Sequence, residues 1–184
     1  MIDKQKIEKA VSMILEAIGE DTSRAGLVDT PKRVANMFEE LTIGNTETAS
    51  THLDKVFEVA TGDLIIEKDI AFCSTCEHHL MPFFGKVAIA YIPNQKVVGL
   101  SKLARTVDTF SKRLQLQEQL GNQIGEAIYS NLSAKGVMVI IEAEHTCMTA
   151  RGVKKVGSKT LSIATFGDFT DNNEIQNKVL NMVK

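Results

Sequence analysis

The 184-residue sequence has no tryptophan, only three prolines and three cysteines, and 5% aromatic residues. The three cysteines are an odd number, and the opening stretch MIDKQKIEKA carries scattered charge with no apolar run. Both features argue against a disulfide framework and against a secretory leader. Reduced thiols and a cytoplasmic location are expected. No apolar run is long enough to cross a bilayer, so no membrane partner is expected. Charge of one sign is lacking as well. A formal net charge of −2 offers no bulk attraction to nucleic acid or to anionic lipid. Any anionic ligand must therefore be held by a local cluster of basic side chains.

What is present fits one core-forming domain, since hydrophobic residues make up 43% of the chain. Ile7, Val11, Ile14, Leu15 and Ile18 recur at the spacing of one helix face, and Gly19 reads as the stop. Thr30-Pro31 reads as the N-cap and first position of a second helix. That helix carries Val34, Met37, Phe38 and Leu41 and ends at Gly44. Asn45 to His52 reads as a linker, so residues 1–52 are expected to form a helical arm with its linker. Residues 53–184 then form the main domain. There the pattern turns to strands at Leu64–Phe72, Gly85–Ile92, Val137–Glu144 and Thr160–Phe166. Ser101 to Leu132 reads as helix broken near Arg113–Gln117, and Asp171 to Met182 as a closing helix. A helical arm followed by a mainly antiparallel sheet with a long helical excursion is an α+β arrangement.

Histidines and cysteines total seven, and five of them fall in two short segments. Cys76 and His79 form a C-x-x-H pair in a turn between two strands, the spacing of a knuckle that presents two ligands to zinc. Cys147 follows a later strand in Glu144-His145-Thr146-Cys147. Two thiolates with one imidazole suit zinc, and three protein ligands leave a fourth position open, as in catalytic sites. Cys73-x-x-Cys76 is a competing pair. A set of Cys73, Cys76, His79 and Cys147 would be closed and structural, although Cys73 lies inside an expected strand and reads as packing. Gly99-Leu100-Ser101 precedes a helix that Ser101 would cap, placing Lys102 and Arg105 on one face of its first turn, an anion site. Arg151 adds a cation four residues after Cys147. Arg33 sits in the first turn of the Thr30-Pro31 helix, where the macrodipole disfavours a cation, which points to an anionic partner.

Three segments together resemble the signatures of GTP cyclohydrolase I. The first is Cys76-Glu77-His78-His79-Leu80-Met81-Pro82-Phe83 with Gly85-Lys86 and Ala90-Tyr91-Ile92-Pro93. The second is Val98-Gly99-Leu100-Ser101-Lys102-Leu103-Ala104-Arg105 with Arg113-Leu114-Gln115-Leu116-Gln117-Glu118. The third is His145-Thr146-Cys147-Met148 with Ala150-Arg151-Gly152-Val153. Gly26-Leu27 and Asp29-Thr30-Pro31-Lys32-Arg33-Val34 resemble the family's N-terminal helix. Cys73, Thr149 and the looser Thr160–Phe166 depart from its pattern. The resemblance implies a tunnel-type fold, an antiparallel sheet with helices on one face plus an N-terminal helical arm. It also implies GTP as substrate, with formate and 7,8-dihydroneopterin triphosphate as products, and a homodecamer with sites between subunits. By the same resemblance, zinc sits on Cys76, His79 and Cys147, His78 and His145 are proton donors, and Ser101 assists the later ribose steps. Glu118 then reads guanine beside Gln117, and Lys102, Arg105, Arg151 and a neighbouring subunit's Arg33 hold the triphosphate. Two other readings stay open. One is a related pterin or nitrile-reducing enzyme on the same fold, and the other is a zinc-stabilised binding module without catalysis.

Overall fold

The helical periodicity at the N-terminus produces α1 (Lys4–Ala17), whose N-cap Asp3 carboxylate accepts from the Lys6 amide at 3.0 Å. A second helix, α2 (Thr30–Leu41), packs against it. Its N-cap is Asp29 and not Thr30, so Thr30 is the first helical residue and Pro31 the second. In this computed structural model, which describes residues 2–60 and 62–184, the pair buries little. No residue of α1 is buried, and in α2 only Ala35 is. Met13, Ile14, Ile18, Val28 and Met37 all remain exposed.

The expected linker is ordered. A short 3-10 turn (Ile43–Thr46) and α3 (Ser50–Leu53) occupy it, and Leu53 is buried in the main core. Gly44 fastens the arm to the domain. Its amide donates to the Lys112 carbonyl at 3.0 Å, and a Cβ there would lie 2.2 Å from the Thr109 carbonyl oxygen. Only glycine allows that approach.

The remaining chain runs β1 (Val56–Glu58), β2 (Ile65–Cys76), β3 (Pro82–Ile92), β4 (Lys96–Val98), α4 (Leu100–Ser111), β5 (Leu114–Gln115) and α5 (Gln117–Leu132). It then continues through β6 (Gly136–His145), α6 (Thr146–Thr149), β7 (Lys159–Gly167) and α7 (Asn173–Val183). Five strands form one sheet in the order β5-β2-β3-β6-β7, antiparallel except for the short β5, and β1 pairs with β4 separately. Period-two alternation divides the side chains between the faces. Val87, Ile89 and Tyr91 of β3 and Val137, Val139 and Ile141 of β6 join one core with α4 and α5. Ala88, Ala90, Met138 and Ile140 face the other way, where the closing helix α7 brings Val179. The two long helices therefore share a face, as expected of this fold, and α7 covers part of the opposite one.

On α5, Leu120, Ile124, Ile128 and Leu132 recur every fourth residue and are all fully buried. Each contributes about 1.5–3 kcal/mol of apolar transfer, which outweighs the cost of Gly121 and Gly125 in the same helix, roughly 1 kcal/mol apiece. The sheet has unpaired edges among the described residues. β7 has only β6 beside it, and β2 meets β5 only at Thr75 and Cys76.

Candidate metal centre and surrounding site

Register brings the metal-ligating side chains together. The β2–β3 hairpin pairs Thr75 with Pro82, and β3 pairs Phe83 with His145 on β6. The end of β2, the start of β3 and the end of β6 thus meet at one end of the sheet. The turn is closed by the Cys76 amide on the Met81 carbonyl (2.8 Å) and the Leu80 amide on the Cys76 carbonyl (2.9 Å). The one-turn α6 lifts Cys147 over this end, held by the Thr146 hydroxyl donating to the Pro82 carbonyl at 2.6 Å. The ligand atoms of Cys76, His79 and Cys147 lie within 4.8 Å of one another, a group that can hold a metal ion.

The donor chemistry fits a soft divalent cation. Burial pushes the Cys147 thiol up, the adjacent Cys76 sulfur pushes it further, and Arg151 pulls it partly back. A bound cation would reverse that balance at Cys147. Cys76 is buried and Cys147 partly so, while His79 stands on the exposed side. Cys73 is excluded from the group by strand geometry. It sits three residues before Cys76 on β2, so its side chain leaves the opposite face, and it is exposed where packing was expected.

The break between α4 and α5 delivers the next residues. Leu114 and Gln115 run parallel to the end of β2, pairing with Thr75 and Cys76, and the Glu77 amide donates to the Gln115 carbonyl at 3.1 Å. The chain then enters α5, which puts Gln117 and Glu118 beside the cluster. His145 stacks on Phe83, ring centroids 4.7 Å apart and planes within 3°. Its Nε2 lies 2.8 Å from Gln117 Oε1. Burial lowers the basicity of His145, while the Glu118 charge opposes that shift. Glu118 and His78 are exposed, and the His78 ring stands edge-on to His79 at 6.2 Å. The Arg151 guanidinium contacts His79 Nε2, so this cation does lie at the cluster.

The other cations lie elsewhere in the chain. The N-cap of α4 is Gly99, without a side-chain cap, and Ser101 is an exposed residue of its first turn. The far end of α4 is the one near the metal group, because the Arg113 carbonyl accepts from Ser74 Oγ at 3.4 Å. Most of the helix's ~18 Å length therefore separates Ser101 and Lys102 from the end near this chain's own Cys76, and about half of it separates Arg105. Neither Lys102 nor Arg105 has an ion-pair partner among the described residues. Arg33 lies out on the arm, 3.3 Å from Asp29, which offsets the unfavourable end of the helix dipole. Both partners are exposed, so the pair contributes at most about 1 kcal/mol.

Sequence reasoning missed Phe83 as a wall for His145, the 2.6 Å Thr146 clasp, and the commitment of Gln117 to the protein interior. The first depends on β3 pairing with β6, which no local pattern sets. The other two depend on register.

A Cys-His-Cys group that can hold a metal ion, at one end of the main sheet and flanked by two further histidines, marks an α+β protein with a candidate metal centre. The family model for GTP cyclohydrolase I matches residues 7–184, and the chain belongs to that family. A GTP cyclohydrolase 1 of Clostridium kluyveri is 57% identical over 183 residues, covering 100% of this chain and 99% of its own. Another from Carboxydothermus hydrogenoformans is 58% identical over 170 residues, covering 92% and 88%. Among solved structures, the apo archaeosine synthase QueF-Like matches 56% of this chain and 93% of its own, at 20% identity and a TM-score of 0.48.

Proposed function

We propose that the protein is a GTP cyclohydrolase I, opening the imidazole ring of guanine in GTP by hydrolysis to give formate and 7,8-dihydroneopterin triphosphate. The observation that carries this reading is the convergence of Cys76, His79 and Cys147 with His145 and Glu118 at one end of the sheet, in a chain that matches the family over residues 7–184. The two thiols and the imidazole are the residues that would hold zinc. When bound, zinc supplies Lewis-acid activation that makes water a competent nucleophile near neutral pH.

The protein's own groups do the rest. Guanine C8 lies between two ring nitrogens, and each nitrogen released from it must gain a proton. His78 and His145 are the imidazoles placed to give those protons. Glu118 reads the base, because guanine presents two adjacent donors, N1–H and the 2-amino group, which one carboxylate accepts together. Adenine presents a bare N1 there and meets the same carboxylate with repulsion. Arg151 holds phosphate beside the cluster, Lys102, Arg105 and Arg33 supply the remaining cations, and Ser101 serves the ribose steps.

Separation of Lys102 and Arg105 from the metal group within one chain supports a site shared between copies. The exposed apolar residues of the arm and the unpaired edges of β2 and β7 support a homo-oligomer as well. The closed structural-zinc reading loses its fourth ligand with Cys73 on the opposite face.

Purified protein should convert GTP to a fluorescent pterin after oxidation, and ATP should be almost inert. Glu118→Gln should weaken GTP use by roughly 10-fold or more, the loss of a charge-assisted hydrogen bond, with metal content unchanged. Equal use of GTP by the variant would move guanine selection to backbone contacts. No release of formate from GTP by the parent would end the proposal. Mixed oligomers of Arg105→Ala and His78→Ala chains should recover activity that neither variant has alone. An absence of recovery in verified mixtures would place each site within one chain.

A further inference from the structure

The side chain of Gln117 is 2% exposed, and every polar atom on it is engaged. Its amide nitrogen lies 3.0 Å from the Ile141 carbonyl, 3.1 Å from the Thr160 carbonyl and 3.0 Å from Ser162 Oγ. Carbonyl oxygens only accept, so the amide cannot be flipped. The NH2 faces β6 and β7, and Oε1 faces His145 Nε2 at 2.8 Å. An amide oxygen also only accepts. His145 Nε2 must therefore carry a hydrogen and donate it, and among the described residues Nδ1 has no hydrogen-bond partner. Phe83, stacked at 4.7 Å on the ring, opposes rotation of the imidazole out of this bond.

We propose that Gln117 is a positioning residue that locks His145 as the Nε2–H tautomer, so that every proton His145 exchanges with substrate passes through Nδ1. The hydrogen stays on His145 Nε2, donated to Gln117 Oε1, throughout. Neutral His145 is thus an acceptor at Nδ1, and once protonated there it donates toward a nitrogen leaving the purine ring. In this arrangement the backbone carbonyls of β6 and β7 set the tautomer of His145 through one buried amide. The inference rests on the reading of His145 as the proton donor, and its test separates the two.

The test uses metal-loaded protein labelled with 15N in histidine, examined by solid-state NMR above the ordinary imidazole pKa of about 6.5. The signals of His145 are identified by their loss in His145→Asn. The expected spectrum shows a protonated Nε2 and a bare Nδ1. The opposite tautomer in the native protein overturns the proposal outright, with no variant needed. Gln117→Glu keeps an oxygen acceptor in place and is expected to keep the tautomer, whereas Gln117→Met is expected to lose it. With metal content equal, kcat on GTP should then fall further in the Met variant, by about 10²–10⁴-fold, the range for losing general acid–base assistance, while KM moves little. A role limited to anchoring α5 would leave the Met variant no worse than the Glu variant, and that ordering overturns the proposal. Correct tautomers with no effect of His145→Asn on turnover would instead remove His145 from the reaction and leave the hydrogen-bond assignment standing.

Discussion

Cys147→Ala is expected to strip the metal from the protein and to abolish turnover of GTP in the same step. Cys147 reaches the cluster from α6, a separate segment from the Cys76–His79 turn, so its loss leaves two ligands on one knuckle. Removing a group that merely orients a ligand costs about 10–100-fold in metal affinity, and losing a ligand itself should cost more. The neighbouring sulfur adds to this. In the intact site burial and the neighbouring Cys76 sulfur both disfavour the anionic form of Cys147, and a bound cation would offset that. Cys76→Ala and His79→Ala should behave alike. Cys73→Ser, altering an exposed thiol on the opposite face of β2, should retain full metal and full activity. Elemental analysis after passage over a chelating resin gives the answer. A metal-replete Cys147→Ala, or a metal-free Cys73→Ser, would reject this ligand set.

His78→Ala and His145→Ala are expected to keep the metal and lose catalysis by about 10²–10⁴-fold, the range for removing general acid–base assistance. The two should differ in character. His145 is clamped between Phe83 and Gln117, and its removal also opens space beside a fully buried ring, so that variant should be less heat-stable as well. His78 is exposed and makes no hydrogen bond among the described residues, so its loss should leave the melting temperature unchanged. Steady-state rates, metal content and thermal unfolding of both variants decide this. Parental turnover in either one takes that histidine out of the mechanism.

The metal trio was readable because scarce residue types repeated at ligand spacing, which needs no tertiary information. The central break near Arg113–Gln117 was also visible, but not what it does. A two-residue strand such as β5 has no periodicity of its own and exists only because the end of β2 offers it a partner. Cys73 was misread by treating strand residues as packed residues. Period-two alternation already puts positions 73 and 76 on opposite faces, and that argument was available from the spacing. Both helix starts were displaced toward a hydroxyl residue, to Thr30 from Asp29 and to Ser101 from Gly99, since cap preferences are worth about 1 kcal/mol and chain entry angles override them. The inward turn of Gln117 could not be foreseen at all. It depends on β6 and β7 presenting the carbonyls of Ile141 and Thr160 at the same depth.

Gly44 makes the arm a lever. The helix pair that carries Arg33 buries almost nothing of its own, and it leaves the domain at a point where a Cβ would sit 2.2 Å from the Thr109 carbonyl oxygen, about 0.8 Å inside the 3.0 Å at which real contacts begin. Eleven residues farther out, ~16 Å at helical rise, that small displacement is multiplied at the guanidinium. A methyl group at this fulcrum would push the arm off the end of α4 and carry Arg33 with it. The sensitivity of the arm to sequence is therefore concentrated where it touches the last turn of α4.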